Sequence, residues 1–219
     1  MTRLSVMYVL YALCAALVSS KIEATDFTKL ATLAQQRYGE NARNSIIELQ
    51  TLVKSLKNAS DTEKLTRINT FFNNKIHYEE DSMVWGEADY WATPLEAIGR
   101  GYGDCEDYTI AKYVFLKALK IPEDKLKLTY VKAHIESADS DVAHMVLSYY
   151  ATPTAEPLIL DSLITEIKPA SQRTDLSPIF SFNSQGLWTG AANKPLNGGL
   201  NSLSRWRSVL LRIQADGIE

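Results

Sequence analysis

The chain is poor in cysteine, with only Cys14 and Cys105 among its 219 residues. Cys14 lies in an N-terminal apolar stretch that we interpret below as a cleaved segment, so the mature chain keeps one thiol. A single thiol cannot form an internal disulfide, which excludes the disulfide-rich scaffolds of small exported domains. In an exported protein a lone cysteine is either a buried apolar residue or a reactive group, and its neighbours must decide between the two.

Blocks of basic charge are also absent, since no run of five or more Lys and Arg residues occurs. The chain has 23 basic and 26 acidic residues, and removal of residues 1–20, whose only charged residue is Arg3, leaves a net charge of −4. This balance argues against nucleic acid as a partner. The hydrophobic share of 46% is that of a globular protein with an ordinary core.

Long apolar runs are missing as well. The run Leu4–Val18 has about 15 residues, whereas a membrane-spanning helix needs about 20. It follows a single basic residue, ends in small residues and gives way to Lys21. This is the layout of a secretory signal peptide over residues 1–20, and an uncleaved anchor is the alternative.

The first third of the mature chain is predicted to be helical. Three segments carry apolar residues at helical spacing, and the third opens at Ser60 with SDTE, the pattern of a capping box. A fourth, short helix is predicted in TPLEAIGRG, where Thr93 can cap the start, Pro94 suits the first position and Gly99 ends the helix.

Cys105 follows in the stretch GYGDCEDY, at the start of another predicted helix. Gly101 and Gly103 allow backbone conformations closed to other residues. Unpaired N–H groups and the helix dipole favour an anion at a helix N-terminus, so they lower the pKa of a thiol and can hold a developing oxyanion. A structural cysteine needs no such position, and we therefore interpret Cys105 as a nucleophile.

Alternating β-branched and aromatic residues after Pro122 predict three strands, LKLTYVKAH, VAHMVLSYY and EPLILDS. If the hairpin of the last two strands is symmetric about the Thr152–Pro153 bond, paired residue numbers sum to 305, as those of His144 and Asp161 do. Directly opposed residues share a face, with Cβ atoms roughly 5 Å apart. We therefore predict that Asp161 orients His144, the base for the thiol.

Other assignments of these residues stay open. A slip of one residue in the register would separate His144 from Asp161, which would then be a core histidine and a turn residue. His134 could serve as the base, but it borders the polar loop ESADSD and has no comparable carboxylate partner. His77 precedes an acidic stretch and has the setting of a surface residue.

The segments YWATPLEAIGRGYGDCEDYTIAKY, AHMVL and LILDS, between about Tyr90 and Ser162, resemble the bacterial transglutaminase-like cysteine proteases. The G-DCEDY block is long and specific, and the short histidine and aspartate motifs follow in the expected order. The resemblance implies an α+β, papain-like transglutaminase fold, with N-terminal helices and a nucleophile-bearing helix packed on an antiparallel β-sheet. We expect a single domain over 21–219, with a helical N-terminal lobe at 21–80 and a catalytic core at 81–219.

The resemblance also accounts for the acidic residues around the cysteine. Family members need calcium, held by acidic residues that flank the nucleophile, and these positions match Asp104, Glu106 and Asp107. A hard cation prefers carboxylate oxygens, and bound Ca²⁺ would cancel the repulsion that opposes a thiolate. The alternative is that the acids only complement the helix dipole.

The resemblance implies a calcium-dependent periplasmic cysteine endopeptidase that cuts the N-terminal region of a large surface adhesin near a pair of alanines and so promotes biofilm dispersal. It also implies an inner-membrane, LapD-like receptor for cyclic di-GMP that sequesters the enzyme. Trp85, Trp91 and Tyr102 are candidates for the walls of the substrate groove, and each could equally belong to the core. Two alternatives stay open: a transglutaminase or amidase, and a catalytically idle calcium-dependent binding module.

Overall fold

A computed structural model of the chain describes residues 25–135, 139–190 and 203–218. The predicted signal peptide, residues 1–20, lies outside the described residues. Within those ranges no helix is both long enough and apolar enough to cross a membrane.

Helices predominate in the first half of the described chain and strands in the second half. The helices are α1 (Phe27–Tyr38), α2 (Glu40–Ser55), α3 (Asp61–Lys75), α4 (Asp81–Val84), α5 (Pro94–Arg100), α6 (Cys105–Ala118) and α7 (Ser204–Asp216). The strands are β1 (His77–Tyr78), β2 (Tyr102–Gly103), β3 (Leu126–Ile135), β4 (Ser140–Tyr149), β5 (Leu158–Leu160), β6 (Lys168–Pro169), β7 (Leu176–Phe182) and β8 (Leu187–Thr189). Short 3-10 turns lie at Glu123–Lys125 and Ala170–Gln172.

The three predicted N-terminal helices are confirmed as α1 to α3. Helices α1 and α3 begin at side chains that the sequence offers as caps, whereas α2 begins after Gly39 without a side-chain cap. Asp26 accepts a hydrogen bond from the Lys29 N–H at the start of α1, and Ser60 accepts one from the Glu63 N–H at the start of α3. Such caps satisfy N–H groups that have no partner inside the helix.

The predicted cap of α5 is confirmed, but the predicted end is wrong. Thr93 and Glu96 form both hydrogen bonds of a capping box. The helix runs through Gly99 to Arg100 and ends where Gly101 takes a φ of 75°. Gly99 serves helix packing instead, because a Cβ atom there would overlap the ring of Tyr38 on α1.

The main sheet has six antiparallel strands in the order β6-β5-β4-β3-β7-β8, and β1 and β2 form a separate parallel pair. The three predicted strands are confirmed as β3, β4 and β5 in the middle of this sheet. The sequence reasoning did not predict the other strands. Strands β1, β2, β6 and β8 have only two or three residues each, and β7 contains Pro178 and a register irregularity opposite Tyr130 and Val131, so none shows a sustained alternation.

Helix α6 packs between α3 and the centre of the sheet, and most of its residues are buried. The Thr109 hydroxyl donates to the Met145 carbonyl of β4 over 3.0 Å, which fixes the helix on the strand. Even Lys112 is buried, and burial lowers its pKa to about 7. One cluster of buried apolar residues extends from α1 through α6 and the sheet to α7.

Helix α7 packs against α5 and α1. Arg212 donates hydrogen bonds to Glu96 and to the Trp91 carbonyl, so it ties α7 to α5. Trp206 is buried against Trp91 and Phe182, with its ring centroid 6.5 and 5.4 Å from theirs.

We predict that Gly99→Ala lowers the free energy of unfolding by about 1–3 kcal/mol, because the added methyl group overpacks the contact between α1 and α5. Urea denaturation of the variant and the wild type measures the difference. In a Tyr38→Ala background the same substitution should cost little, since the obstructing ring is gone. Equal stability of Gly99→Ala and the wild type would contradict this account of the packing.

Candidate active site

The start of α6 is held by two carboxylates on either side of Cys105. Asp104 Oδ1 accepts a hydrogen bond from the Glu106 N–H over 3.2 Å, and Asp107 Oδ2 accepts one from the Asp104 N–H over 3.4 Å. This capping box confirms the predicted position of Cys105 in the first turn of a buried helix.

Asp107 also joins α6 to the segment before α5. Its Oδ1 accepts a hydrogen bond from the Ala92 N–H over 2.7 Å, and its side chain is buried. The carboxylate leaves no room beside it for a side chain at position 103, where a Cβ atom would lie 2.6 Å from Oδ2. Gly103 is therefore required by close packing, and its φ is not positive as that of Gly101 is.

The Cys105 thiol lies in a negative environment. Its S–H donates to Glu106 Oε2 over 2.7 Å. Burial raises the pKa of the Cys105 thiol, the charges of Glu106 and Asp104 raise it further, and a backbone hydrogen bond from Met145 lowers it. Because burial and these carboxylates raise its pKa above the ordinary value of a thiol, Cys105 is protonated at neutral pH.

His144 and Asp161 meet as predicted, with His144 Nε2 2.7 Å from Asp161 Oδ1. The predicted register is wrong by two residues, however, because pairs such as Leu147 with Leu160 sum to 307. Side chains alternate between the two faces of a strand, so a shift of two keeps both residues on one face, whereas a shift of one would have separated them. They are diagonal neighbours, and Asp161 lies just beyond β5.

The Asp161 carboxylate is buried and ionised. Burial would raise its pKa, but hydrogen bonds and charge from His144, the Leu163 N–H and Arg173 hold the pKa of Asp161 at about 2. An ionised carboxylate accepts, so His144 Nε2 carries the hydrogen of their shared bond. Nδ1 of His144 is then the nitrogen that can take a proton.

The Cys105 thiol lies where α6 meets β4. Met145 forms a backbone hydrogen bond to the thiol and accepts one from Thr109. The thiol therefore lies against the strand at the residue next to His144. His134 forms an exposed pair with Asp141 over 3.1 Å, and His77 is exposed, so His144 is the one buried histidine of the three.

Sequence reasoning missed a fourth carboxylate beside the nucleophile. Asp81, at the start of α4, offers an oxygen within 4.8 Å of oxygens from Asp104 and Asp107. Its Oδ2 accepts a hydrogen bond from the Tyr90 N–H over 2.5 Å, and its Oδ1 is buried without a hydrogen-bond partner. The acidic stretch EED at 79–81 was the available signal, but nothing in the sequence connects it to residues 104–107.

This cluster has the properties of a cation site. Desolvation, followed by the charges of Glu106, Asp107 and Asp81, raises the pKa of Asp104 to about 9. Among the described residues, no Lys or Arg forms an ion pair with any of the four carboxylates. Hard oxygen donors with an excess of negative charge suit Ca²⁺. Of the predicted ligands, Asp104 and Asp107 come together with Asp81, whereas Glu106 lies with Asp104 and the Cys105 sulfur. The oxygen donors fit calcium, and the binding role of Asp104, Glu106 and Asp107 stays a prediction.

The three aromatic groove candidates have different settings. Trp91 is buried and stacks on Phe182 with centroids 5.9 Å apart, which agrees with the core alternative left open for it. Trp85 is half-buried against Tyr90. Tyr102 is exposed and directly precedes Gly103 and the nucleophile turn, which leaves it a candidate for contact with substrate.

A cysteine at the start of a helix that packs on an antiparallel sheet, with a buried His–Asp pair on that sheet, defines the papain-like class of cysteine proteases. The chain belongs to the bacterial transglutaminase-like cysteine proteinases (BTLCP), whose family model matches residues 35–183. The matched region contains a single cysteine, Cys105. The protein is therefore a cysteine protease, and Cys105 is the one thiol in that region that can be its nucleophile.

Solved structures of Legionella pneumophila LapG are similar to this chain. One is 40% identical, covers 85% of this chain and 97% of its own, and has a TM-score of 0.72. An EGTA-treated form is 41% identical over 85% and 97%, with a TM-score of 0.74. A calcium-bound form is 40% identical over 85% and 98%, with a TM-score of 0.72. A comparison with curated proteins gives no match.

We predict that the purified protein binds Ca²⁺ and that Asp81→Asn weakens the binding on the order of tenfold or more, because the site loses a charged oxygen ligand. Isothermal titration of the metal-free protein measures both affinities. Asp124→Asn, at an exposed acid outside the cluster, should bind as the wild type does. An unchanged affinity in Asp81→Asn would place Asp81 outside the site.

Proposed function

We propose that the protein is a calcium-dependent periplasmic endopeptidase that cuts the N-terminal region of a large surface adhesin near a pair of alanines, releasing it and promoting biofilm dispersal. The observation that carries the proposal is the acidic surroundings of the nucleophile turn, where Asp104 lies close to Asp81 and Asp107 on one side and to Cys105 and Glu106 on the other. In the described part of the chain, none of these carboxylates has an ion-pair partner. The calcium-bound and EGTA-treated forms of Legionella LapG support the choice of cation.

In the proposed mechanism His144 Nδ1 takes the proton from Cys105. This requires the S–H to turn from Glu106 Oε2, where it is held in this structure, toward the imidazole. Asp161 keeps the hydrogen on Nε2 and stabilises the imidazolium that forms. The sulfur then attacks the peptide carbonyl carbon, and the C=O electron pair moves to the oxygen.

The remaining steps follow from the same groups. The backbone N–H of Cys105, unpaired at the start of α6, donates to the oxyanion. When the oxyanion collapses the C–N bond breaks, and the imidazolium gives its proton to the leaving amine. Water then attacks the thioester while His144 takes the water proton, which releases the acid and restores the thiol.

The carboxylate cluster sets the condition for this chemistry. Asp81, Asp104, Glu106 and Asp107 are the residues that would hold calcium, which when bound supplies positive charge close to the thiolate. Without a cation, Glu106 and Asp104 raise the pKa of the Cys105 thiol and keep it protonated.

Substrate, compartment and partner are supported by resemblance. The GYGDCEDY segment resembles the adhesin-processing members of the family, and residues 1–20 have the pattern of a signal peptide, which favours the periplasm. The same resemblance supports an inner-membrane receptor for cyclic di-GMP as the regulatory partner.

Incubation with an adhesin N-terminal fragment should give cleavage at the alanine pair. EGTA should abolish the cleavage and added Ca²⁺ should restore it. Mg²⁺ should restore it poorly, because it demands tighter octahedral geometry. Mass spectrometry of the products locates the cut. A fragment with the alanine pair replaced by two aspartates is the matched substrate control. Cleavage that persists in EGTA would contradict the dependence on calcium.

Substitutions in the proposed triad, together with an acyl-transfer assay, distinguish a protease from a transglutaminase and from a binding module. Cys105→Ala and His144→Ala should both be inactive, and Asp161→Asn should keep residual activity because Asp161 only orients and stabilises the imidazole. Addition of a primary amine tests for acyl transfer, since a transglutaminase would form its thioester from a glutamine side-chain amide, release ammonia and attach the amine to that side chain without cutting the main chain. A wild-type protein that binds calcium but cuts no fragment and transfers no acyl group would be a binding module.

A further inference from the structure

Arg173 is a buried arginine that lies directly behind the proposed triad. It is 2% exposed and follows the 3-10 turn Ala170–Gln172. Its Nη2 donates to Asp161 Oδ2 over 2.6 Å. No pattern in the surrounding sequence, KPASQRTDLSP, predicts this contact.

The contact divides the oxygens of Asp161 between two sets of donors. Oδ1 accepts from His144 Nε2 over 2.7 Å and from the Leu163 N–H over 3.0 Å, whereas Oδ2 accepts from Arg173. Hydrogen bonds to both oxygens fix the plane of a carboxylate as well as its position. The direction of His144 Nδ1 depends on that plane, because the ring is held through the opposite nitrogen.

The guanidinium is itself held by a second carboxylate. Asp175 accepts from Arg173 Nε over 2.9 Å and from Nη2 over 2.7 Å, in the two-point geometry that arginine forms with carboxylates. Asp161 therefore receives its hydrogen bond from a group that cannot rotate freely. A lysine, with one nitrogen, cannot reproduce this arrangement.

Sharing the guanidinium also sets the charge of the site. One positive charge faces two carboxylates, so Arg173, Asp161 and Asp175 together carry a net charge of −1 while His144 is neutral. Protonation of His144 during the reaction brings the total to zero. Arg173 thus keeps the buried Asp161 ionised without cancelling the negative charge that stabilises the imidazolium.

We propose that Arg173 is a positioning residue for the protease reaction, which extends the triad to a Cys105–His144–Asp161–Arg173 chain. This role rests on the proposed function, because it requires that the triad performs the hydrolysis. Arg173 does not touch the reacting atoms; it orients Asp161, and through Asp161 the imidazole.

The test compares Arg173→Met with Arg173→Lys. The guanidinium already lines a largely apolar cavity of about 180 Å³, next to Val146 and Ile159, and a methionine side chain can lie there. Arg173→Met should lower kcat on the adhesin fragment by on the order of 10- to 100-fold with KM little changed, because the loss is one of orientation. Arg173→Lys should recover part of this loss.

Arg37→Met is the control, because the half-exposed Arg37 forms an ion pair with the buried Asp216 over 3.0 Å, outside the active site. It should lower stability without changing kcat. If Arg173 stabilised the fold but did not orient Asp161, Arg173→Met would lose stability, and its folded fraction would keep the wild-type kcat.

A second readout is independent of substrate. In the ¹H NMR spectrum the His144 Nε2 proton, shared with Asp161, should give a downfield signal, assigned by its loss in His144→Gln. The signal should shift or broaden in Arg173→Met and Arg173→Lys and stay in place in Arg37→Met. If the wild type cuts no adhesin fragment the proposed function fails, yet this signal still tests the positioning.

The outcome that would overturn the proposal is a folded Arg173 variant with the wild-type His144 signal and, where the fragment is cut, the wild-type kcat. If Arg173→Met does not fold, Arg173→Lys alone decides. It retains the charge and loses the two-point contact, so an unmoved His144 signal in that variant would likewise reject the role.

Discussion

Buried negative charge is the constraint on which the active-site region depends. A carboxylate removed from water is costly unless donors or opposite charges compensate it. Asp161 is compensated fully within the chain, by His144, a backbone N–H and Arg173. The carboxylates around Cys105 receive only hydrogen bonds, and Asp81 Oδ1 has no hydrogen-bond partner. The charge of Asp161 is therefore compensated by groups of the chain itself, whereas the charge of the carboxylates around Cys105 is not compensated by any ion pair among the described residues.

The same carboxylates carry two roles that conflict in the metal-free protein. Asp104 and Asp107 cap α6 and so hold the nucleophile in place. Asp104 and Glu106 also raise the pKa of the thiol, and Glu106 holds its proton. A bound divalent cation would remove the conflict. Its positive charge would offset the carboxylate charge that raises the pKa of the thiol, and the carboxylate oxygens could still accept the capping hydrogen bonds. This is a physical reason for coupling calcium to activity at this site.

Prediction from the sequence succeeded where a local pattern carries the physical cause. Capping residues located the starts of α3 and α5, and the apolar spacing located α6. The His144–Asp161 contact was predicted from a register that is wrong by two residues, and it survived because the alternation of faces has a period of two. The sequence left Trp91 open between groove and core because aromatic residues line both, and its burial follows from contacts with α7 and Phe182.

The sequence by itself determined the nucleophile, its helix, the central strands and three of the four clustered carboxylates, since each depends on residues close together in the chain. Tertiary structure alone decided that Asp81 joins Asp104 and Asp107 and that Arg173 supports Asp161. These contacts connect segments without a shared periodicity: α4 contacts β2, directly before the nucleophile turn, and the turn before β7 brings Arg173 to Asp161. It also decided that the thiol is protonated without metal, because the pKa depends on burial and on the summed charge of neighbours, which no local pattern contains.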